Sequence, residues 1–225
     1  KFKGEEVCIG IICDGMGGLS CGELASKSIA EAFSDWFLYS YSKYESIWDE
    51  SRMREDIGSI ISSENEGLLY YGKEHGIYLG TTITAFLLAG NRFFVWHVGD
   101  SRLYKISSSK IERLTNDHTV IAKEVAEGRL TEKEAKNDPK RNVLLQCIGA
   151  SERVKPDMFC GEVKKGDILL LCSDGFRHEI SEKEMLSLLG RCESNKLNEM
   201  IKRLISLNLR RNEQDNISAA LVKVQ

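Results

Sequence analysis

TTITAFLLAGNRFFVWHVGDSRLYKI, running from Thr81 to Ile106, is the stretch that decides the architecture. Its apolar runs, Thr81 to Leu88, Arg92 to Val98 and Arg102 to Ile106, are too short for helices and rich in β-branched and aromatic side chains, so each is expected to be a strand. The links AGN and GDS are tight, and the spacing predicts an antiparallel meander. Working outward, Val7 to Cys13 (VCIGIIC), Asp167 to Cys172 (DILLLC) and Ile217 to Val224 (ISAALVKV) have the same character. Helical periodicity lies between them. Cys21 to Tyr39 places Leu24, Ala25, Ile29, Ala32, Phe33, Trp36 and Phe37 on one face, and Met53, Ile57, Ile60, Ile61 and Leu68 repeat the pattern. Leu197, Ile201, Leu204 and Ile205 form a third such face. Ser181 with Glu184 is a capping-box start for a helix through Leu189. Strands that pair, with helices to cover the sheets, predict an α+β fold.

The chain has 225 residues with 31 Lys+Arg against 34 Asp+Glu, a formal net charge of -3. That balance argues against nucleic acid as the main partner, since phosphate-backbone binding needs a basic field. Pro139 and Pro156 are the sole prolines, and no low-complexity linker or repeat breaks the chain, so residues 1–225 are read as a single domain. No apolar run approaches the length of roughly 20 residues that spans a bilayer, and no secretory leader is present, which predicts a cytoplasmic protein without membrane contact. A monomer is expected. The seven cysteines are odd in number and show no two-residue gap, so they are read as reduced core thiols rather than a zinc or disulfide framework.

The chemistry is carried by acids at strand ends. Asp14 follows VCIGIIC, Asp100 follows FFVWHVG, Asp174 follows ILLLCS, and Asp215 precedes the last strand. Taken singly, an Asp-Gly step after a strand is an ordinary turn signal. If the four converge, they repel one another unless a hard divalent cation relieves them, and an all-oxygen ligand set favours Mg²⁺, Mn²⁺ or Ca²⁺ over zinc. Spacing alone does not decide between these.

An ordered set of motifs does. DGMGG at 14–18, GELAS at 22–26, GTT at 80–82, VGDSRLY at 98–104, LTNDHT at 114–119, IGA at 148–150, SDGF at 173–176 and DNISAALVK at 215–223 resemble the PPM (type 2C) metal-dependent Ser/Thr protein phosphatases, bacterial type. The resemblance spans nearly the whole chain. It implies a four-layer αββα sandwich, two antiparallel sheets face to face with helix pairs outside. It also implies hydrolysis of phosphoserine and phosphothreonine in proteins, by a metal-bridged water attacking phosphorus in line without a covalent intermediate. The implied cofactors are two Mn²⁺ or Mg²⁺ ions, with a third, weaker one as in bacterial members. By the same resemblance, Asp14 bridges the two ions, the Gly15 carbonyl binds one, Asp174 and Asp215 complete the shell of the other, and Asp100 is a ligand of the third.

Arg177, beside SDGF, is the candidate phosphate contact. Residues 115–145 resemble the family's flap beside the cleft; their basic side chains Arg129, Lys133, Lys136, Lys140 and Arg141 are offset by acids. The implied partner is a phosphoprotein, such as a Ser/Thr kinase or its targets. Met16 departs from the many eukaryotic members with His at that position and offers no proton to a leaving alcohol. His118 is expected to be structural, and His75, His97 and His178 to be plain core or surface residues. The family's opening strand, with its phosphate-binding Arg and a further acid, has no counterpart before Asp14, so a chain lacking that strand and hydrolysing phosphoesters weakly is expected. Competing readings are a non-catalytic relative that binds a phosphoprotein or signalling partner, and a calcium module, which lacks the alternating Asp/Asn loop.

Overall fold

The computed structural model describes residues 2, 4–17, 19–135 and 138–225, so the expectations touching Gly18 and Lys136 lie outside the described residues. The chain opens with β1 (Val7–Ile12) and β2 (Gly15–Met16), then α1 (Leu19–Asp35), which runs on through a π turn at Trp36–Ser40. The long α2 (Glu50–His75) follows. Next come β3 (Gly80–Thr81), β4 (Ile83–Ala89), β5 (Arg92–Val98), β6 (Arg102–Ile106) and β7 (Ile111–Arg113). Two short helices, α3 (Val120–Ala126) and α4 (Glu132–Ala135), precede β8 (Asp157–Glu162) and β9 (Ile168–Cys172). The chain finishes with α5 (Asp174–Arg177), α6 (Glu182–Leu189), α7 (Leu197–Arg210) and β10 (Ala219–Lys223).

Helix ends follow local chemistry. Asp49 caps α2 by accepting from the Arg52 amide at 3.1 Å, and Gly76 closes it in the left-handed region at φ 63°. The capping box at Ser181 and Glu184 forms as expected.

Two antiparallel sheets make the frame, one ordered β1-β4-β5-β8 and the other β10-β9-β6-β7, with β2 and β3 as a small extra pair. Alternating side chains of β5 explain the layering. Phe93 and Val95 point into a core shared with Phe86 of the neighbouring β4 and with Leu103, Leu169 and Leu171 of the facing sheet. Phe94 and Trp96 point the other way, into a core with Ile29 and Phe33 of α1 and Met53 and Ile57 of α2. On the far side, Tyr104, Ile106, Ile168 and Leu170 pack against Met185 and Leu189 of α6 and Leu204 of α7. Central strands are thus covered on both faces, which is why they read as nearly unbroken apolar runs. Each large side chain buried this way contributes about 1.5–3 kcal/mol. The result is the four-layer αββα sandwich.

The meander expected over Thr81–Ile106 is corrected. The link AGN does make a hairpin, with Ile83 opposite Val98 and Ala89 opposite Arg92. The link GDS does not: β5 gives its second edge to β8, pairing Arg92 with Glu162 and His97 with Asp157, while β6 pairs with β9 and β7 in the opposite sheet. The crossing depends on Gly99, whose φ of 108° suits glycine and where a Cβ would stand 2.5 Å from the Thr82 Cγ2. His118 takes over the work of a ladder there, its amide donating to the Gly99 carbonyl at 2.8 Å and its Nδ1 accepting from the Gly99 amide at 3.2 Å. The first helix begins at Leu19, two residues ahead of the Cys21 to Tyr39 stretch that shows helical periodicity. Strand β8, at the edge of its sheet, has mixed burial and escaped the apolar-run criterion.

The two ends of the segment carrying α3 and α4 are pinched together, with the Val120 amide donating to the Val143 carbonyl at 2.9 Å and the Leu145 amide to the His118 carbonyl at 2.8 Å. All seven cysteines are free; Cys147, Cys172 and Cys192 are buried, whereas Cys160 is exposed rather than a core thiol. Among the described residues, no helix is long and apolar enough to cross a membrane.

Candidate metal centre

Four strand termini meet at one end of the sandwich. Asp14 leaves β1 and is fixed through its backbone by the GTT threonines: its amide donates to Thr82 Oγ1 at 3.0 Å, and its carbonyl accepts from the Thr82 amide at 2.9 Å and from Thr81 Oγ1 at 3.1 Å. Thr82 Oγ1 in turn lies 3.1 Å from Ser101 Oγ, tying the turn after β1 to the GDS crossing. Asp174 begins α5 at the end of β9. Its neighbour Gly175 sits where a Cβ would come 2.5 Å from the Asn216 carbonyl oxygen, so only glycine lets the SDG turn lie against the segment carrying Asp215. Ser173 fastens the same two segments, its Oγ accepting from the Ser218 amide at 3.1 Å.

The carboxyl groups act on one another. Burial, followed by the charges of Asp174, Asp215 and Asp100 and a hydrogen bond with Asp174, pushes the Asp14 carboxyl up to about 7. Asp100 is pushed up to about 6 by burial, with Arg177 opposing the rise. The neighbouring Cys13 thiol is held at about 12 by burial and the Asp14 charge, which makes it inert. All four acids singled out from sequence are therefore brought within electrostatic reach of Asp14.

Two participants were missed. His178 lies one helical turn beyond Asp174, with Nε2 3.5 Å from Asp174 Oδ2 and Nδ1 3.4 Å from Glu213 Oε2. One ligand atom each from Asp174, His178 and Asp215 lie within 4.8 Å of one another. The plain core-or-surface role expected for His178 is thus corrected. The signal was available as the i, i+4 spacing from Asp174. Glu213, whose side chain is only 8 % exposed, had no comparable signal, since it precedes the DN motif in a polar loop.

Arg177 stands elsewhere than a free phosphate contact would. Its Nη2 donates to the Asp100 carbonyl at 3.0 Å and to Asp100 Oδ2 at 3.3 Å, and lies 3.7 Å from Asp117 Oδ2. Asp117 is itself gripped from both oxygens by Arg102, at 2.8 and 2.5 Å. Burial would raise the Asp117 carboxyl, yet the Arg102 pairing outweighs it and holds the group below its usual range.

The remaining histidines are structural. His97 is buried, drops to about 4 chiefly through desolvation, and bridges Thr84 Oγ1 and the Asn116 carbonyl at 2.9 Å each. His118 Nδ1 accepts from Gln146 at 2.9 Å while Nε2 faces Asp157 at 3.2 Å. His75 stacks on Tyr71 at the surface. In the flap-like loop, Arg129 is paired with Glu124 and Glu127.

The donor set suits hard divalent cations. Asp14, Asp174, Asp215 and Glu213 bring four carboxyls with, among the described residues, the His178 imidazole beside them, and the upward shift of Asp14 by burial and its acidic neighbours marks a deficit of positive charge.

The chain as a whole is similar to known proteins. The family model described as Protein phosphatase 2C matches residues 1–224. The S. agalactiae serine/threonine phosphatase structure superposes with a TM-score of 0.88 at 31% identity, covering 100% of this chain and 90% of that one. The serine/threonine phosphatase stp of Listeria monocytogenes is 31% identical over 95% of this chain and 83% of its own length. The catalytic domain of the serine/threonine protein phosphatase PstP, solved in complex with 2 manganese ions, has a TM-score of 0.79 at 28% identity, covering 98% of this chain and 91% of that one.

Proposed function

This chain belongs to the protein phosphatase 2C family, and from that membership we propose that it hydrolyses phosphoserine and phosphothreonine in proteins, using divalent ions held by Asp14, Asp174 and Asp215. The observation that carries the reading is the grouping of Asp174, His178 and Asp215, whose ligand atoms lie within 4.8 Å of one another, with Glu213 behind them and Asp14 pushed up to about 7 by burial and by its acidic neighbours. The same carboxyls, with the Gly15 carbonyl as a further ligand, would hold a pair of Mn²⁺ or Mg²⁺ ions, which would relieve that repulsion. When bound, such ions lower the pKa of water and neutralise charge on the phosphoryl oxygens.

The chain's own residues supply positioning. Thr81 and Thr82 hold the Asp14 backbone, so its carboxyl projects from the end of a rigid strand rather than from a loop. Ser173 and Gly175 lock the SDG turn against the DN segment and bring Asp174 and Asp215 together. His178 spans Asp174 and Glu213 and orients both. Residues 115–145 are proposed as a flap that selects among phosphoproteins, a Ser/Thr kinase or its targets being the expected class, and 1–225 as one catalytic domain.

The test is Mn²⁺-dependent hydrolysis of an aryl phosphate and of phosphoserine and phosphothreonine peptides, with and without chelator. Chelator-sensitive turnover that vanishes in Asp174→Asn, with the fold intact by circular dichroism, is the expected result. Wild-type rates in Asp174→Asn would refute the assignment.

A further inference from the structure

Two groups of charges lie side by side at this end of the sandwich, and they are balanced differently. In the first, Asp14, Asp174, Asp215 and Glu213 have, among the described residues, the His178 imidazole for company. In the second, Asp100 and Asp117 face Arg177 and Arg102, two carboxylates against two guanidiniums, all between 10 and 17% exposed. By formal charge the second group balances within itself and the first is left negative, although burial still holds the Asp100 carboxyl up.

Within the second group the assignments are separable. Asp117 is already held from both oxygens by Arg102. Arg177 is therefore the partner of Asp100, gripping its backbone carbonyl and its Oδ2 with the same nitrogen. A third divalent ion on Asp100 would have to sit against that guanidinium, with like charges a few ångströms apart and little water to screen them. The residues present do not fit it.

We propose that Arg177 is a built-in cation: its guanidinium takes the place at Asp100 that a third ion would occupy, so the chain loads ions on the Asp14, Asp174 and Asp215 group alone. Arg177 is then a positioning residue for the GDS crossing rather than a phosphate contact. The inference rests on the proposed ion site, but the two fail separately.

Equilibrium dialysis of the full chain against Mn²⁺, from micromolar to 10 millimolar, tests it. Wild type and Asp100→Asn are expected to bind the same number of ions. Arg177→Ala is expected to bind one more, weakly; Arg177→Lys, which keeps the charge, gains none, and Arg177→Ala combined with Asp100→Asn loses the extra ion. Loss of an ion from wild type on Asp100→Asn would overturn the proposal, as would a folded Arg177→Ala with no gain. Should Arg177→Ala fail to fold, the comparison of wild type with Asp100→Asn decides alone. Failure of the functional reading would show differently, as unchanged Mn²⁺ binding in Asp174→Asn.

Discussion

Replacing Asp14 by asparagine should stabilise the metal-free protein at alkaline pH while abolishing its ion binding. The folded carboxyl titrates at about 7 against an ordinary value of 3.8. Between those pH values the folded state holds a proton that the unfolded chain has released, so metal-free stability falls as pH rises through the window. At pH 8 the charged Asp14 should cost several kcal/mol, and at pH 5 less than half as much, from about 1.4 kcal/mol per tenfold change. Asparagine keeps the shape and removes the charge, so Asp14→Asn should unfold at higher urea than wild type in chelator at pH 8, with the gap closing by more than half at pH 5. His97 works in the opposite sense, losing stability as pH drops from 6.5 towards about 4, but it does so in both chains and cancels in the difference. Mn²⁺ at 100 times its dissociation constant should then add about 2.7 kcal/mol to wild type alone. A variant no more stable than wild type at pH 8 in chelator, or a gap independent of pH, would refute the account of repelling carboxyls.

Asp117→Ala should lose about 3–5 kcal/mol in urea unfolding, because it strands the Arg102 guanidinium in a site only 17% exposed; a loss below 1 kcal/mol would mean the pair is better solvated than its geometry indicates. Gly99→Ala should cost about 2–4 kcal/mol, as alanine must adopt φ 108° and press its methyl on Thr82, and a thermal melt within a degree of wild type would contradict that. Ser181→Ala removes the acceptor for the Glu184 amide and should lower stability by about 1 kcal/mol, read from the denaturation midpoint at unchanged slope.

Much of the frame was legible because the signals were local. Apolar runs bounded by Asp, Gly and Ser marked β1, β4, β5, β6, β9 and β10, and the motif order identified the family. What local pattern could not show was partnership between strands. A tight link such as GDS is equally compatible with a hairpin and with a crossing to the facing sheet, and the decision rested on β8, an edge strand whose Gly161 and mixed burial hid it. At the site, strand-end acids stood out, but His178 and Glu213 lacked a motif of their own, and the role of Arg177 depended on Asp100, 77 positions away.

The four aspartates are divided equally between the sheets: Asp14 and Asp100 follow strands of one, and Asp174 and Asp215 flank strands of the other. No half of the sandwich carries the site by itself. Ion affinity is therefore a gauge of how the two sheets are seated on each other, since a slip of one residue along a strand, about 3.4 Å, would part Asp14 from Asp174 altogether. Cations bound at the proposed site would act as a clasp at the rim of the apolar layer formed by Phe86, Val95, Leu103 and Leu171. A flaw anywhere along that layer reaches the chemistry by loosening the clasp, without touching a single ligand.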